Sequence, residues 1–528
     1  MAIKLFQLSK FGTSGINTDG PWSISPDYLS DGANFRVLNG MIKTNNGLAR
    51  WAKKTELHDT GIFCPVGPLT DGMYLFCTKT GLYSFDGKTL SQLNALTVSD
   101  PELWSIAING GIPVVNHPDV GAYYWYPIGH GVAMKPLPYN KDKNWDPQLG
   151  KSGQIIRSHK NYMFMLNVTE VLNGKTEVIE DGYHWSHPSD INSIPPSWDE
   201  TDRAFLAGIA QLGGNTGRII DGLSMRDNFV IYSEHGINLL QESGDVFVWN
   251  RTPITSTTGP ISSSCVVEVM GLHYILAPED ILVFDGNSVQ SIAQEKIREY
   301  YKAFIAPDTW QTSYALKVSA TKEVWFCVPG RGDAFPTRAF IYNWVEGSWA
   351  IRDLPPNVTY ATYGQRSRGQ TLWSSLAEMD PVPTWKTYDA PWGSDTYSPF
   401  DETVIGAQQD GTLLDVDSQF VGSDSLQGPM TFIQRDNFPL ETLAEFTTIV
   451  AAYPKIEGVG DLKITLGSQD YPNAPIRWRP PVTFRPGKQR KIDVRTTGAL
   501  HAFRVESIGS GQFTMSGIDF EYAPAGRR

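Results

Sequence analysis

No apolar run in this chain approaches the ~18 residues that a membrane-crossing helix needs, so a helical span is not expected. The first residues, Met1-Ala2-Ile3-Lys4-Leu5-Phe6-Gln7, have no continuous apolar core behind their lysine, and a signal peptide is not expected either. These absences lead us to expect a soluble protein made in a cytoplasm. Charge is scarce as well, at 19% of residues, and it is unbalanced: 44 Lys and Arg against 56 Asp and Glu leave a formal −12. That argues against a nucleic-acid binder relying on a wholly basic surface. Only four cysteines occur, Cys64, Cys77, Cys265 and Cys327, and none forms a C-x-x-C pair. A zinc knuckle, a redox motif and a disulfide framework are therefore not expected. Cys77 and Cys327 lie inside apolar runs and read as small buried hydrophobes.

What the chain has instead is aromatic rings (12%) together with 49 Gly and 35 Pro. That suits large cores and many turns, and a length of 528 suits roughly three modules. Short runs rich in Val, Ile, Tyr, Phe and Trp recur, broken by Asp-Gly, Asn-Gly and Pro, which is a strand-and-turn signal. Two segments read as copies of one unit. Tyr74-Leu75-Phe76-Cys77 followed by Gly81-Leu82-Tyr83-Ser84-Phe85-Asp86-Gly87 matches Tyr274-Ile275-Leu276 followed by Ile281-Leu282-Val283-Phe284-Asp285-Gly286. Weaker echoes occur at 229–240, 324–344 and 404–415, and hairpin-like stretches at 112–126 and 161–185. Loose repeats of four-strand size predict a β-propeller of six or seven blades, six preferred, with a stacked sandwich array as the alternative.

Helix signals are few. Ser291-Ile292-Ala293-Gln294 has the form of a capping box and opens a helical spacing that runs to Pro307. Ser197-Trp198-Asp199-Glu200 predicts a second helix, closed by Gly213-Gly214. From residue 430 onward Lys and Arg outnumber Asp and Glu by three, against −15 for residues 1–429. Alternation at Leu462/Ile464/Leu466, Ile492/Val494, Phe503/Val505, Phe513/Met515 and Ile518/Phe520/Tyr522 predicts a half-buried antiparallel sheet. The expected organisation is all-β: an N-terminal arm over 1–58, a propeller with insertions over 59–425, and an antiparallel β-domain over 426–528.

Chemistry-bearing motifs are absent or fail on spacing. The stretch from Gly81 to Thr89 superficially matches a phosphate-binding loop, but it is one residue too long and lies in a hairpin. His184 and His187, three apart at a strand end, point to opposite faces and predict no metal pair. No nucleophile elbow appears, and Glu279-Asp280 and Asp199-Glu200 read as solvated turn carboxylates. Arg331-Gly332-Asp333 reads as a hairpin tip. No catalytic residue, metal or cofactor is expected. One charge feature stands out: Arg477, Arg479, Arg485, Lys488, Arg490, Lys491, Arg495 and Arg504 are opposed within their own span only by Asp493. Such a cluster could meet DNA phosphates or an acidic patch on a neighbouring subunit, or form a solvated edge that deters strand pairing. The acidic bulk of the chain favours the subunit boundary.

Several segments together resemble a known family. Asp31-Gly32-Ala33-Asn34-Phe35-Arg36, then Asn39-Gly40 and Gly47-Leu48-Ala49-Arg50, is similar to the N-terminal signature of tail hub proteins of short-tailed, podovirus-type bacteriophages. These are also called nozzle or packaged-DNA stabilisation proteins. His184-Trp185-Ser186 with Pro196-Ser197-Trp198, the unit around Phe284-Asp285-Gly286 with its following helix, and Gly517-Ile518-Asp519-Phe520-Glu521 resemble later parts of the same family. The 373–392 stretch and the irregular repeat lengths depart from it. The resemblance implies a non-catalytic virion protein assembled in the bacterial cytoplasm. It would form a ring, usually of six copies, below portal and adaptor rings, carry tail fibres or spikes, retain the packaged double-stranded DNA and conduct it at ejection. The rival expectation is a propeller glycosidase or lectin acting on host surface glycans.

Overall fold

The computed structural model describes residues 3–9, 11–21, 23, 25–52, 63–66, 69, 73–86, 89–129, 131–172, 175–214, 216–244, 248–367, 400–418, 425–426, 428–509 and 511–527. The 373–392 stretch, Gly87 and Lys88 lie outside them. Among the described residues the chain is all-β, with a single α-helix, Arg298–Phe304.

Six four-stranded antiparallel sheets follow one another along the chain, each strand pairing with the next in sequence. They run from Phe63–Val66 to Leu90–Ala95, from Ser105–Asn109 to Lys135–Pro136, from Lys151–His159 to Gly208–Gln211, from Ile219–Met225 to Trp249–Thr255, from Val266–Val269 to Val289–Ser291, and from Tyr314–Val318 to Ser348–Asp353. A five-stranded sheet orders Val358–Ser367, Phe400–Gln408, Leu413–Ser418, Gly47–Ala52 and Ser425–Leu426. The two repeat-like units fall in the first and fifth sheets, and their Phe85 and Phe284 are both buried. In the fifth sheet Asp285 Oδ1 accepts the backbone N–H of Asn287 and Ser288 (2.7 Å each), and this turn closes the hairpin at Gly286.

Two compact units are present. One comprises residues 1–49, 211–358 and 417–528, the other 50–210 and 359–416. In the first unit, two six-stranded sheets form a sandwich. Phe35–Leu38, Met41–Thr44, Gln512–Arg527, Glu445–Val459 and Ile492–Gly498 lie side by side in one sheet, with Lys4–Ser9 also paired to Gln512–Arg527. Asp31–Ala33, Phe432–Phe438, Leu500–Ser507, Leu462–Gln469 and Arg477–Trp478 make the other, with Val482–Phe484 also on Leu462–Gln469. Phe520 of the first sheet packs on Phe438 (5.4 Å) and Phe503 (5.8 Å) of the second. The alternating apolar positions are all buried, as period-two patterning requires. A register shift at Lys455/Ile456 moves the inward set from Phe513/Met515 to Ile518/Phe520/Tyr522.

Both helix expectations need correction. Ser291 Oγ does accept the Gln294 N–H (3.0 Å), but that turn is not helical and the helix starts only at Arg298. Residues 197–206 form no helix. Asp199 Oδ1 takes the Thr201 N–H and Asp202 Oδ1 the Ala204 N–H (3.0 Å each), so side chains bond their own backbone and compete with the helical ladder.

Candidate functional site

Three charged features stand out, and each lies within one unit. The first is in the unit comprising 50–210 and 359–416. Gly121, at φ +82°, lets the backbone approach Trp145 so closely that a Cβ there would sit 2.2 Å from the Trp145 carbonyl oxygen. Trp198 donates its backbone N–H to the Tyr139 carbonyl (2.7 Å). The rings of Trp145 and Trp198 meet edge-on (5.1 Å), with His184 5.5 and 5.9 Å from them. On the neighbouring strand, a bulge at Asn167 (φ +55°) changes the side-chain parity between Met163/Met165 and Val168, so all three reach the same core. By the same parity Glu170 shares that face.

Polar groups cluster beside this aromatic core. Glu200 accepts the Tyr139 hydroxyl hydrogen, and its Oε2 stands 3.5 Å from His184 Nε2. Lys151 Nζ lies 2.7 Å from Glu170 and 3.8 Å from Glu200, above the Tyr139 ring. Burial alone would raise the Glu200 carboxyl, but His184 and Tyr139 outweigh it and hold the group down at about 2. The Tyr139 hydroxyl is pushed up, by burial first and by Glu200 second. Asp199, next to it, bonds Asn140 Nδ2 (2.9 Å) and Thr201. Glu200 is thus half-buried and engaged, where sequence reading made it a solvated turn residue. His187 takes no part in the cluster: its Nδ1 accepts the Leu206 N–H (2.9 Å). Chemically the arrangement fixes Glu200 as a carboxylate. No group of three metal-ligating side chains occurs among the described residues.

The second centre lies in the other unit and was not foreseen. Arg36, from the signature segment, grips both oxygens of Asp417 (2.8 and 2.9 Å). Arg352 reaches the same carboxylate (2.7 Å) and covers the Trp325 ring, while Glu323 accepts Trp325 Nε1–H (2.9 Å) and lies 3.5 Å from Arg36. All four charges are buried. Burial would raise the Asp417 carboxyl; Arg36 and Arg352 reverse that and keep it below the usual range. Asn34, at φ +64°, donates to Asp353 (3.0 Å) and to the Met430 carbonyl (2.9 Å) and accepts the Asp353 N–H (2.8 Å). The sequence signal, available in hindsight, was charge set inside apolar runs: Phe35-Arg36-Val37, Glu323-Val324-Trp325, Ile351-Arg352.

The third feature is the expected basic cluster, in the same unit as Arg36. The structure brings seven of its eight residues to one edge of the sandwich. Arg477 lies in the short edge strand Arg477–Trp478, paired with Ser468 of Leu462–Gln469, and its guanidinium reaches the Thr497 carbonyl of the facing sheet (3.4 Å). Arg479, Arg485, Lys488 and Arg490 are exposed in the connecting segment, and Lys491 and Arg495 lie exposed at and within the edge strand Ile492–Gly498. Arg504 stands apart on an inner strand, half-buried over Phe432 (4.4 Å). Within the span Asp493 is the single carboxylate, and the fold brings further counter-charges from outside it. Asp470 pairs with Arg477 (2.5 Å), Asp461 with Arg485 (3.3 Å), Asp493 with Lys491 (3.0 Å) and Glu506 with Arg504 (3.1 Å). Arg479, Lys488, Arg490 and Arg495 have no ion-pair partner among the described residues.

No protein-family model matches the chain, and no curated protein does. Among solved structures it is similar to the computationally designed Ika8 protein (10% identity, 70% of this chain and 99% of that one, TM-score 0.34) and to apo AztD from Citrobacter koseri (11%, 58% and 77%, 0.33). It is also similar to the extracellular domain of the putative hybrid two component system BT4673 from B. thetaiotaomicron (12%, 54% and 39%, 0.26). At these TM-scores the likenesses carry no argument about what the chain does.

Proposed function

We propose that this chain is a structural subunit of a phage tail, a hub or nozzle that forms a ring, retains packaged DNA and conducts it at ejection. The small antiparallel sheets serve in this reading as blades of a β-propeller, seven rather than six, the last completed by Gly47–Ala52. One observation carries the proposal. The segment that resembles the family signature spends its polar residues on architecture: Asn34 ties residues 353 and 430 together, and Arg36 neutralises a buried carboxylate. Such a segment is suited to rigid assembly.

The glycosidase or lectin alternative is less well supported. Sugar stacking on the Trp145–Trp198 cluster would need exposed faces, whereas Trp145 is 2% and Trp198 0% exposed. A hydrolase of the two-carboxylate type needs one acid that keeps its proton near neutrality, whereas Glu200 is held ionised down to about 2. Mass measurement and electron microscopy of the purified protein test the proposal. Six copies of the 58.6 kDa chain come to about 350 kDa, and a ring of that order is expected. A persistent monomer, or robust turnover of capsular or lipopolysaccharide glycans, overturns it.

A further inference from the structure

We infer that the cationic edge around Arg479, Lys488, Arg490 and Arg495 docks on a carboxylate face of a second copy of this chain, the face built by Glu170, Glu177, Asp199 and Glu200. The inference rests on the ring reading above and names its contact.

The edge has the makings of an interface. The same part of the chain as its four unpaired cations carries exposed aromatic surface, Trp478 at 38% and Tyr471 at 62%. Aromatic rings with arginine are the groups enriched where proteins meet. Pro480, Pro481 and Pro486 lack N–H donors, so the segment does not invite strand addition, and side chains must make the contact. A polyphosphate fits less well, because Asp461, Asp470 and Asp493 lie among the cations and would repel phosphate.

The opposite face carries a specific electrostatic deficit. Glu170 and Glu177 are directly opposite on adjacent antiparallel strands, a like-charge pair that costs stability unless a cation intervenes. Lys151 serves Glu170 and reaches towards Glu200. Glu177 is exposed and has no ion-pair partner among the described residues. Lys151 is thus shared between Glu170 and Glu200 while Glu177 is left without a cation, and the face calls for an incoming one. The two patches differ, so the contact is heterologous, and successive copies add head to tail until the rotation closes a ring.

The test uses full-length protein and exposed positions only. One variant carries Arg479→Glu, Lys488→Glu and Arg490→Glu; a second carries Glu177→Lys; a third combines both. Each single set should weaken self-association by about tenfold or more, with circular dichroism unchanged. Mixing the first two should restore assembly with the variants alternating, because each edge then meets a face of opposite charge although neither variant assembles alone. The third should regain assembly. A wild-type ring that survives the first variant, or a third variant that stays dissociated, overturns the docking and leaves the ring reading standing. So does a first variant whose only defect is weaker binding to duplex DNA. A wild type that never assembles sinks the ring reading itself.

Discussion

Asp417 is the residue on which the most buried charge depends. Two guanidiniums converge on it, and both lose their principal counter-ion if it becomes neutral. Breaking a buried ion pair from one side typically costs about 3–5 kcal/mol, because the remaining charge is stranded. Asp417→Asn should therefore destabilise the unit of residues 1–49, 211–358 and 417–528 by that amount. A urea midpoint equal to wild type would reject the account. Phe85 and Phe284 hold the same place before Asp-Gly in two repeat-like units, and both are buried. Phe85→Ala and Phe284→Ala should each cost ~3–5 kcal/mol, and unchanged thermal unfolding in both would remove the repeat reading. At this scale the apolar residues were legible, since alternation alone marks which side is buried. The charged ones were not. Arg36, Arg352 and Asp417 lie far apart in sequence, and local pattern carries no information about a partner hundreds of residues away.

Strands differ in how far they reveal themselves. The hairpins closed by Asx turns were legible because Asp285 bonds within its own turn. The helix after Ser291 was legible in type but not in start, because the capping hydrogen bond forms six residues early around a non-helical turn. The bulge at Asn167 had no sequence mark, yet it carries Glu170 to the face that also bears Lys151. Buried histidines give the strands a pH dependence. His273 Nε2 donates to the Ser224 carbonyl (2.9 Å) and its Nδ1 accepts the Tyr232 hydroxyl (2.6 Å), so it bridges three strands as the neutral ring. Burial lowers it to about 4, and burial lowers His501 to about 3. Above about pH 6.5 neither folded nor unfolded chain protonates these rings, and their contribution to stability is complete. As pH falls below that, the unfolded chain takes up protons that the folded chain refuses until about 4 or 3. Stability is then lost progressively, by roughly 2 kcal/mol per histidine on going from about pH 7.5 to about pH 5. Urea midpoints at the two pH values measure this, and His273→Gln should flatten the difference. A midpoint independent of pH would show that these rings are accessible to protons in the folded chain.

At the scale of the whole molecule, the question is what a conduit does with the polymer inside it. Each phosphate neutralised by Lys or Arg adds salt-dependent affinity, and a channel that gripped duplex DNA would slow its passage. The chain carries −12, and a ring multiplies that charge. Its densest cationic edge is partly cancelled by Asp461, Asp470 and Asp493, and in the reading above it is occupied by a neighbour. The assembled protein should therefore bind duplex DNA weakly, with a shallow dependence on salt. Binding of a labelled duplex, followed by anisotropy across a series of salt concentrations, gives the slope of log affinity against log salt. Fewer than about four neutralised phosphates per bound duplex is the expected result. A steeper slope would mean that a cationic surface stays open to the duplex after assembly. If Arg479→Glu, Lys488→Glu and Arg490→Glu then abolished that slope while the ring persisted, the edge would belong to the channel wall, and DNA would be retained by direct grip rather than by closure.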